Sequence, residues 1–233
     1  QYTDLSIFTC RPDFGADVSE LFNYLTGFSR QEHYRNLLVA PVALRAELER
    51  RIRREIEWAQ KGHAARVMFK MNTLQDYPCT DLLYEAAAEG VQVDLIIRGI
   101  CIARPNAPEL GGRLRVVSII GRFLEHSRAY YFANGGEEEL FLGSADLMPR
   151  NLDRRVETLF PVEDTAIRQY VKEELLERYL QDDVKARLLR GDGGYDRVTP
   201  ADGAVPFSIQ DWLVNRARRI VETPDVHVVP RSG

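Results

Sequence analysis

The chain is predicted to fold as an α/β protein, a mixed β-sheet flanked by helices on both faces. Three observations lead there. Short apolar runs suited to buried strands alternate with segments of helical period from Asn36 to Ile97. Four more strand candidates then follow in close succession between Val116 and Phe160. A long segment with an apolar side returns after them, from Glu163. The opening order of strand, helix, strand, helix, strand is that of an α/β layer with helices covering a largely parallel or mixed sheet.

Each element has a local reason. Leu37, Leu38 and Val39 make a buried strand of Asn36 to Ala40, and Pro41 stands where a helix favours its first residue. Leu44, Leu48, Ile52 and Ile56 recur every four residues in an otherwise charged segment, which gives a helix one apolar stripe and ends it near Gly62. Arg66 to Met71 alternates as a second strand. A helix from about Asp81 to Glu89 is stopped by Gly90, and Val91 to Ile97 is the third strand, with Arg98-Gly99 at its carboxyl end. Beyond it, Val116 to Ile120, His126 to Phe132, Glu139 to Leu142 and Arg155 to Phe160 read as strands, with a hairpin turn at Asn134-Gly135-Gly136. Glu163 to about Arg190 reads as one helix, whole or broken, with Ile167, Tyr170, Val171, Leu175, Leu176 and Tyr179 on its apolar side. Gly191 to Phe207 is rich in Gly, Asp and Pro and reads as loop, and Ile209 to Val221 as a last short helix before a frayed end. The expected division is therefore 1–190 as the main domain and 191–233 as a loop and short helical tail.

Composition excludes several classes. At 233 residues the chain can bury a full core. No apolar run approaches the roughly 18 residues of a membrane span, and no charged-then-apolar signal segment opens the chain. The expectation is a cytoplasmic protein, with membrane association left open. The chain opens on Gln1 rather than methionine, so it is expected to be a piece of something longer. Cys10, Cys79 and Cys101 are odd in number and form no C-x-x-C pair, so they supply neither a disulfide framework nor a zinc site and are expected as reduced, mostly buried thiols.

Net charge is −4 and gives no hint of a polyanionic partner, but its local distribution does. Arg98, Arg104, Arg113, Arg115, Arg122, Arg128, Arg150, Arg154 and Arg155 fall in one stretch without a lysine. Arginine's rigid fork of donors suits phosphate oxygens. The plain alternative is compositional preference, since the whole chain holds 27 arginines against 4 lysines.

Chemistry concentrates at Gly121 to Arg128, Gly143 to Asp146 and Arg150 to Arg155. On a strand, His126, Arg128 and Tyr130 share a face, so imidazole and guanidinium stand about 6 to 7 Å apart along it. A histidine there can act as nucleophile or proton donor near neutral pH while the arginine holds phosphate oxygens. The ordinary alternative is a core histidine with satisfied hydrogen bonds. Gly143-Ser144 is a place where backbone donors can face an oxyanion, or a simple turn. Arg155 and Glu157 share a face of the next strand, and Glu157 either orients a histidine or pairs with Arg155. Arg98-Gly99 stands at a strand end where open α/β sheets bind ligands. Lys70 and Asn72 share a face at another such end, where they either touch a phosphate or are merely solvated. His33, His63 and His227 lack metal-ligand spacing, and no metal site is expected in this chain.

Tyr2-Thr3-Asp4, Phe22 to Gly27, Lys70-Met71-Asn72, Ile97 to Cys101, Gly121 to Arg128 and Ser144 to Asn151, in that order, resemble the carboxyl-terminal part of bacterial polyphosphate kinase. The resemblance covers roughly residues 1 to 190 and implies a phospholipase D-like catalytic domain. It implies a phosphotransferase that makes inorganic polyphosphate reversibly from ATP, through a phosphohistidine formed in an upstream domain that this chain lacks. By motif, His126 matches the second active-site histidine, Tyr2 and Arg98 match residues that contact ATP, and Arg155 matches an arginine near the phosphates. Arg128 stands where the wider phospholipase D pattern has lysine, as the kinase family does. The resemblance also implies Mg2+ held in the upstream domain, the upstream domains of the same polypeptide as partners, and a homo-oligomer. ATP/ADP and polyphosphate are the expected ligands, with no nucleic acid. Two alternatives stay open: a phospholipase D-type phosphodiesterase built from two copies of this half-site, and a fragment that only binds ATP or polyphosphate. The chain alone is expected to be inactive.

Overall fold

A computed structural model of the chain describes residues 2–31, 33–105 and 107–222. The elements in order are β1 (Tyr2–Thr3), α1 (Pro12–Leu25), β2 (Leu38–Ala40), α2 (Leu44–Gln60), β3 (Arg66–Met71), α3 (Tyr77–Ala88), β4 (Gln92–Ile97) and β5 (Leu114–Ile119). They continue with β6 (Leu124–Glu125), β7 (Arg128–Phe132), β8 (Glu139–Gly143), α4 (Pro149–Asp153), β9 (Glu157–Pro161) and α5 (Thr165–Tyr170). The helix runs on as a π-helical stretch, Val171–Glu177, and a 3-10 turn, Tyr179–Gln181; β10 (Ala186–Leu189), β11 (Tyr195–Arg197) and α6 (Ile209–Glu222) complete the described chain.

Nine strands form one sheet in the order β11-β10-β5-β4-β3-β7-β8-β9-β2. The centre, β3-β4-β5, is parallel, and antiparallel strands flank it on both sides. A separate parallel pair joins β1 to β6, with Tyr2 opposite Leu124 and Thr3 opposite Glu125.

The sheet buries both faces, which explains its nearly continuous apolar strands. Val67, Phe69, Leu95, Ile97, Tyr130 and Phe132 point to one face, under Leu44, Leu48, Ile52 and Ile56 of α2 and the buried side of α3. Met68, Ile96, Ala129 and Tyr131 point to the other, under Val171, Leu175, Leu176, Tyr179 and Ile209. The α/β layer with helices on both faces is as expected from the apolar pattern.

Several elements differ from expectation, each for a local reason. Helix α3 starts at Tyr77 rather than Asp81, because Asp76 caps it: its Oδ1 accepts the Cys79 N–H at 3.0 Å, and Pro78 fits the first turn. Pro41 is not a first helical residue; it lies before α2, which begins at Leu44. The segment from Glu163 to Arg190 is not one helix. Asp182 ends it, with Oδ1 accepting from the N–H groups of Val184, Lys185 and Ala186 at 3.1, 2.6 and 3.0 Å, and strand β10 follows. The stretch from Gly191 to Phe207 contains strand β11, paired with β10. Helix α1 is not among the expected elements, although Phe14, Val18, Leu21 and Leu25 recur at helical spacing; of these only Phe14 is buried, while Val18 and Leu25 are exposed. Among the described residues, no helix is long and apolar enough to cross a membrane. Cys10 is exposed, Cys79 buried and Cys101 half-buried, and all three are free.

Candidate active site

His126 sits between two sheets. The strand that carries it leaves β6, which pairs with β1, and enters β7, which lies between β3 and β8. The His126 N–H donates to Thr3 O at 2.8 Å, so the β1-β6 ladder extends through the histidine. Its side chain, outside the regular strand, is 45% exposed. Nδ1 lies 3.2 Å from Asp4 Oδ2 and 3.0 Å from Arg128 Nη1, and the Tyr2 ring stands edge-on with centroids 6.1 Å apart. Nε2 has no partner among the described residues.

Arg128 is buried and committed. Nε and Nη2 donate to the two oxygens of Asp146 at 3.2 and 3.1 Å, and Nη1 donates to His126 O at 2.6 Å. Asp146 Oδ1 also accepts the N–H groups of Asn72 and Thr73, at 2.8 and 3.3 Å, which ties the end of β3 to the Gly143-Asp146 loop. Arg128 therefore braces the histidine, with its guanidinium paired to Asp146.

A cleft of about 250 Å³ opens beside this group, lined in part by Asp4, His126, Arg128, Gly143, Ser144 and Thr158. Gly143 is required there, since a Cβ would lie 2.0 Å from Thr158 O. Ser144 is engaged with the same neighbour: its N–H donates to Thr158 O at 3.0 Å, and its Oγ accepts the Thr158 N–H at 3.2 Å. This N–H is thus not free to face an oxyanion.

The chemistry of Nδ1 is two-sided. Asp4 favours a proton on Nδ1, whereas the permanently charged Arg128 favours a lone pair there, with the proton on Nε2.

The other residues singled out in the sequence lie at different distances from this centre. Arg98, half-buried after β4, donates from Nε to Glu125 O at 2.7 Å, one residue before His126. Its terminal nitrogens have no partner among the described residues. Arg155 is exposed and precedes β9 rather than forming part of it; its N–H donates to Arg150 O at 2.9 Å, and its guanidinium has no partner among the described residues. Glu157 accepts from Asn151 Nδ2 at 2.5 Å, and neither His126 nor Arg155 is its partner. The carboxylate beside the histidine is Asp4 instead.

Lys70 does not reach a strand-end ligand position. It is buried on the second face of the sheet, with Nζ 2.8 Å from Ser127 Oγ and 3.0 Å from Glu125 Oε2. Burial pushes its ammonium down from the ordinary lysine value, against the pull of Glu125. Asp4, Asp146 and Glu125 were not singled out from the sequence. All three lie inside quoted motifs, Tyr2-Thr3-Asp4, Gly121 to Arg128 and Gly143 to Asp146, but acidic residues give no sign of their partners until the fold brings them together.

Among the described residues, no group of three or more His, Cys, Asp or Glu side chains could share a metal ion. The buried carboxylates nearest the cleft, Asp146 and Glu125, are taken by Arg128 and Lys70. These paired carboxylates do not fit a magnesium site.

A family model described as polyphosphate kinase C-terminal domain 2 matches residues 37–210. Polyphosphate kinase of Thermosynechococcus vestitus is 50% identical over 221 residues, 95% of this chain and 30% of that protein. Polyphosphate kinase of Prosthecochloris aestuarii is 53% identical over 204 residues, 88% of this chain and 28% of that protein. The crystal structure of polyphosphate kinase from Porphyromonas gingivalis is similar with a TM-score of 0.86 and 36% identity, over 92% of this chain and 33% of that one. The chain thus spans about 30% of the length of the curated relatives it matches.

Proposed function

Because the chain belongs to the polyphosphate kinase family, we propose that the His126 cleft is one half of a site that transfers phosphoryl groups reversibly between ATP and inorganic polyphosphate. The phosphohistidine of this reaction forms on an upstream domain of the same polypeptide, which also holds Mg2+. His126 is the second active-site histidine. The observation that carries the reading is an exposed imidazole whose Nδ1 is engaged by Asp4 and Arg128 while Nε2 has no partner among the described residues.

A phosphoryl group moving between polyanions spreads negative charge over its oxygens, so catalysis rests on in-line positioning and cationic stabilisation. Arg98 and Arg155 supply that charge, each with guanidinium nitrogens not committed to a protein acceptor. Tyr2 packs beside the imidazole and contacts the nucleotide. His126 gives or takes the proton at Nε2 as the phosphate oxygen is released or attacks. Arg128 holds the imidazole, and Glu157, bound to Asn151, directly precedes Thr158 of the cleft wall.

The division expected at residue 190 gives way to one catalytic domain of phospholipase D-like fold that includes β11, which joins the sheet, and Ile209 of α6, which joins the core. The full polypeptide works as a homo-oligomer in the cytoplasm, with ATP/ADP and polyphosphate as its ligands. This chain alone binds but does not turn over, since half the site is elsewhere.

The test is transfer of label from γ-labelled ATP into acid-insoluble polymer, by this chain alone and by the polypeptide that includes the upstream domains. Polymer from the longer polypeptide only is the expected result. Polymer from this chain alone would overturn the half-site reading, and polymer from neither would overturn the kinase reading.

A further inference from the structure

Helix α6 begins at Ile209, and its second residue, Gln210, is only 6% exposed. Its carboxamide faces the loop that leads into His126. Oε1 accepts the Phe123 N–H at 3.0 Å and Nε2 donates to Phe123 O at 3.1 Å, the two-bond exchange that a strand residue makes with its neighbour. The second proton of Nε2 goes to Glu125 Oε1 at 2.7 Å. Both donor protons of the amide are therefore spent on the two residues that lead to the histidine. Gly121 makes room for this amide, because a Cβ there would lie 2.3 Å from Gln210 Oε1.

Glu125, which directly precedes His126, gathers the rest of the network. Its Oε2 pairs with Lys70 Nζ and accepts from the Tyr179 hydroxyl. Lys70 also holds Ser127, on the far side of the histidine, at 2.8 Å. The imidazole is met by Asp4 and Arg128 at Nδ1, and its place over the cleft depends as well on the backbone that carries it. That backbone is anchored by a buried polar network in which each member is satisfied by another.

We propose that Gln210 is a positioning residue for His126, through which helix α6 becomes part of the active site. The proposal rests on the reading of His126 as an active-site histidine. It predicts that loss of the amide leaves the substrates bound but the imidazole misplaced, and a displacement of about 1 Å costs on the order of 10²-fold in rate.

The test uses the full polypeptide with Gln210→Leu, and Trp212→Leu as the control. Trp212 lies in the same helix, stacked against Arg178 and Arg216 at 4.5 and 5.1 Å, with no hydrogen bond to the loop. Two quantities are read: the rate of His126 carbethoxylation by diethylpyrocarbonate, followed by peptide mapping, and kcat and KM for polyphosphate synthesis. Gln210→Leu is expected to change the His126 modification rate several-fold and to lower kcat with KM for ATP nearly constant, while Trp212→Leu changes neither rate. An unchanged modification rate in a folded Gln210→Leu protein overturns the proposal, as does an equal change in Trp212→Leu, which would make α6 a general support. A changed modification rate with unaltered kcat upholds the positioning and overturns the catalytic reading of His126 instead.

Discussion

The Asp4 carboxylate stands 3.2 Å from Nδ1 of His126, although 122 residues separate the two in the chain. The short β1-β6 pairing makes this contact, with Thr3 O accepting the His126 N–H one residue away. The amino-terminal segment is therefore part of the site. It supplies the orienting carboxylate and, in Tyr2, the aromatic edge beside the imidazole.

Replacing Asp4 by Asn removes the charge that stabilises a proton on Nδ1 while keeping the side chain's shape. Polyphosphate synthesis by the full polypeptide should fall by about 10-fold or more, a part of the roughly 10²–10⁴-fold that general acid–base catalysis supplies. Steady-state rates check this, and an unchanged rate would assign Asp4 to the surface.

Asp146→Ala leaves the buried Arg128 guanidinium without its two-point acceptor and two backbone N–H groups without theirs. Loss of one partner from a buried pair costs about 3–5 kcal/mol. Chemical denaturation of this chain should show a loss of that order. A loss below about 1 kcal/mol would mean that Arg128 finds another acceptor.

Gly143→Ala places a Cβ 2.0 Å from Thr158 O, the same oxygen that accepts the Ser144 N–H. Backbone crowding of this kind forces β8 and β9 apart at the cleft wall, at about 1–3 kcal/mol. Thermal unfolding should register the cost, and activity should fall with it because the wall carries the cleft's shape.

Asp17 gives the fold a defined acid sensitivity. Burial alone would raise its carboxyl, but the N–H groups of Arg35, Asn36 and Leu37, together with the Arg35 guanidinium, hold it below the usual carboxylate value. A carboxyl depressed in the folded state stabilises fully above its unfolded value of about 3.9, and that stabilisation is lost as pH falls through the folded value. Asp17→Asn should thus be less stable than the parent chain at neutral pH, with the gap narrowing below about pH 4. Denaturation midpoints for both proteins between pH 7 and pH 2 measure it, and a gap independent of pH would contradict this account.

Much of the fold was legible because its signals are local. The Leu44, Leu48, Ile52 and Ile56 stripe marks α2, and the alternation of Arg66 to Met71 gives β3 to the residue. Other parts depended on side chains whose effect is not local. Asp182 ends the helix before β10 by capturing three backbone N–H groups, and nothing in the apolar pattern of Glu163 to Arg190 announces that. At the site, spacing correctly placed His126 beside Arg128. It offered Glu157 as either an orienting carboxylate or a partner of Arg155, whereas Glu157 meets Asn151 and the strand β1 brings Asp4 to the histidine. Lys70 reads as a polar strand end, yet it is buried against Glu125 because the helices after β9 cover that face of the sheet.

The most direct measurement is the rate at which the full polypeptide transfers phosphate from γ-labelled ATP into acid-insoluble polyphosphate, with and without His126→Ala. The account predicts a loss of at least about 10²-fold, the low end of general acid–base catalysis. A variant within a few-fold of the parent rate would contradict it and return His126 to a structural part.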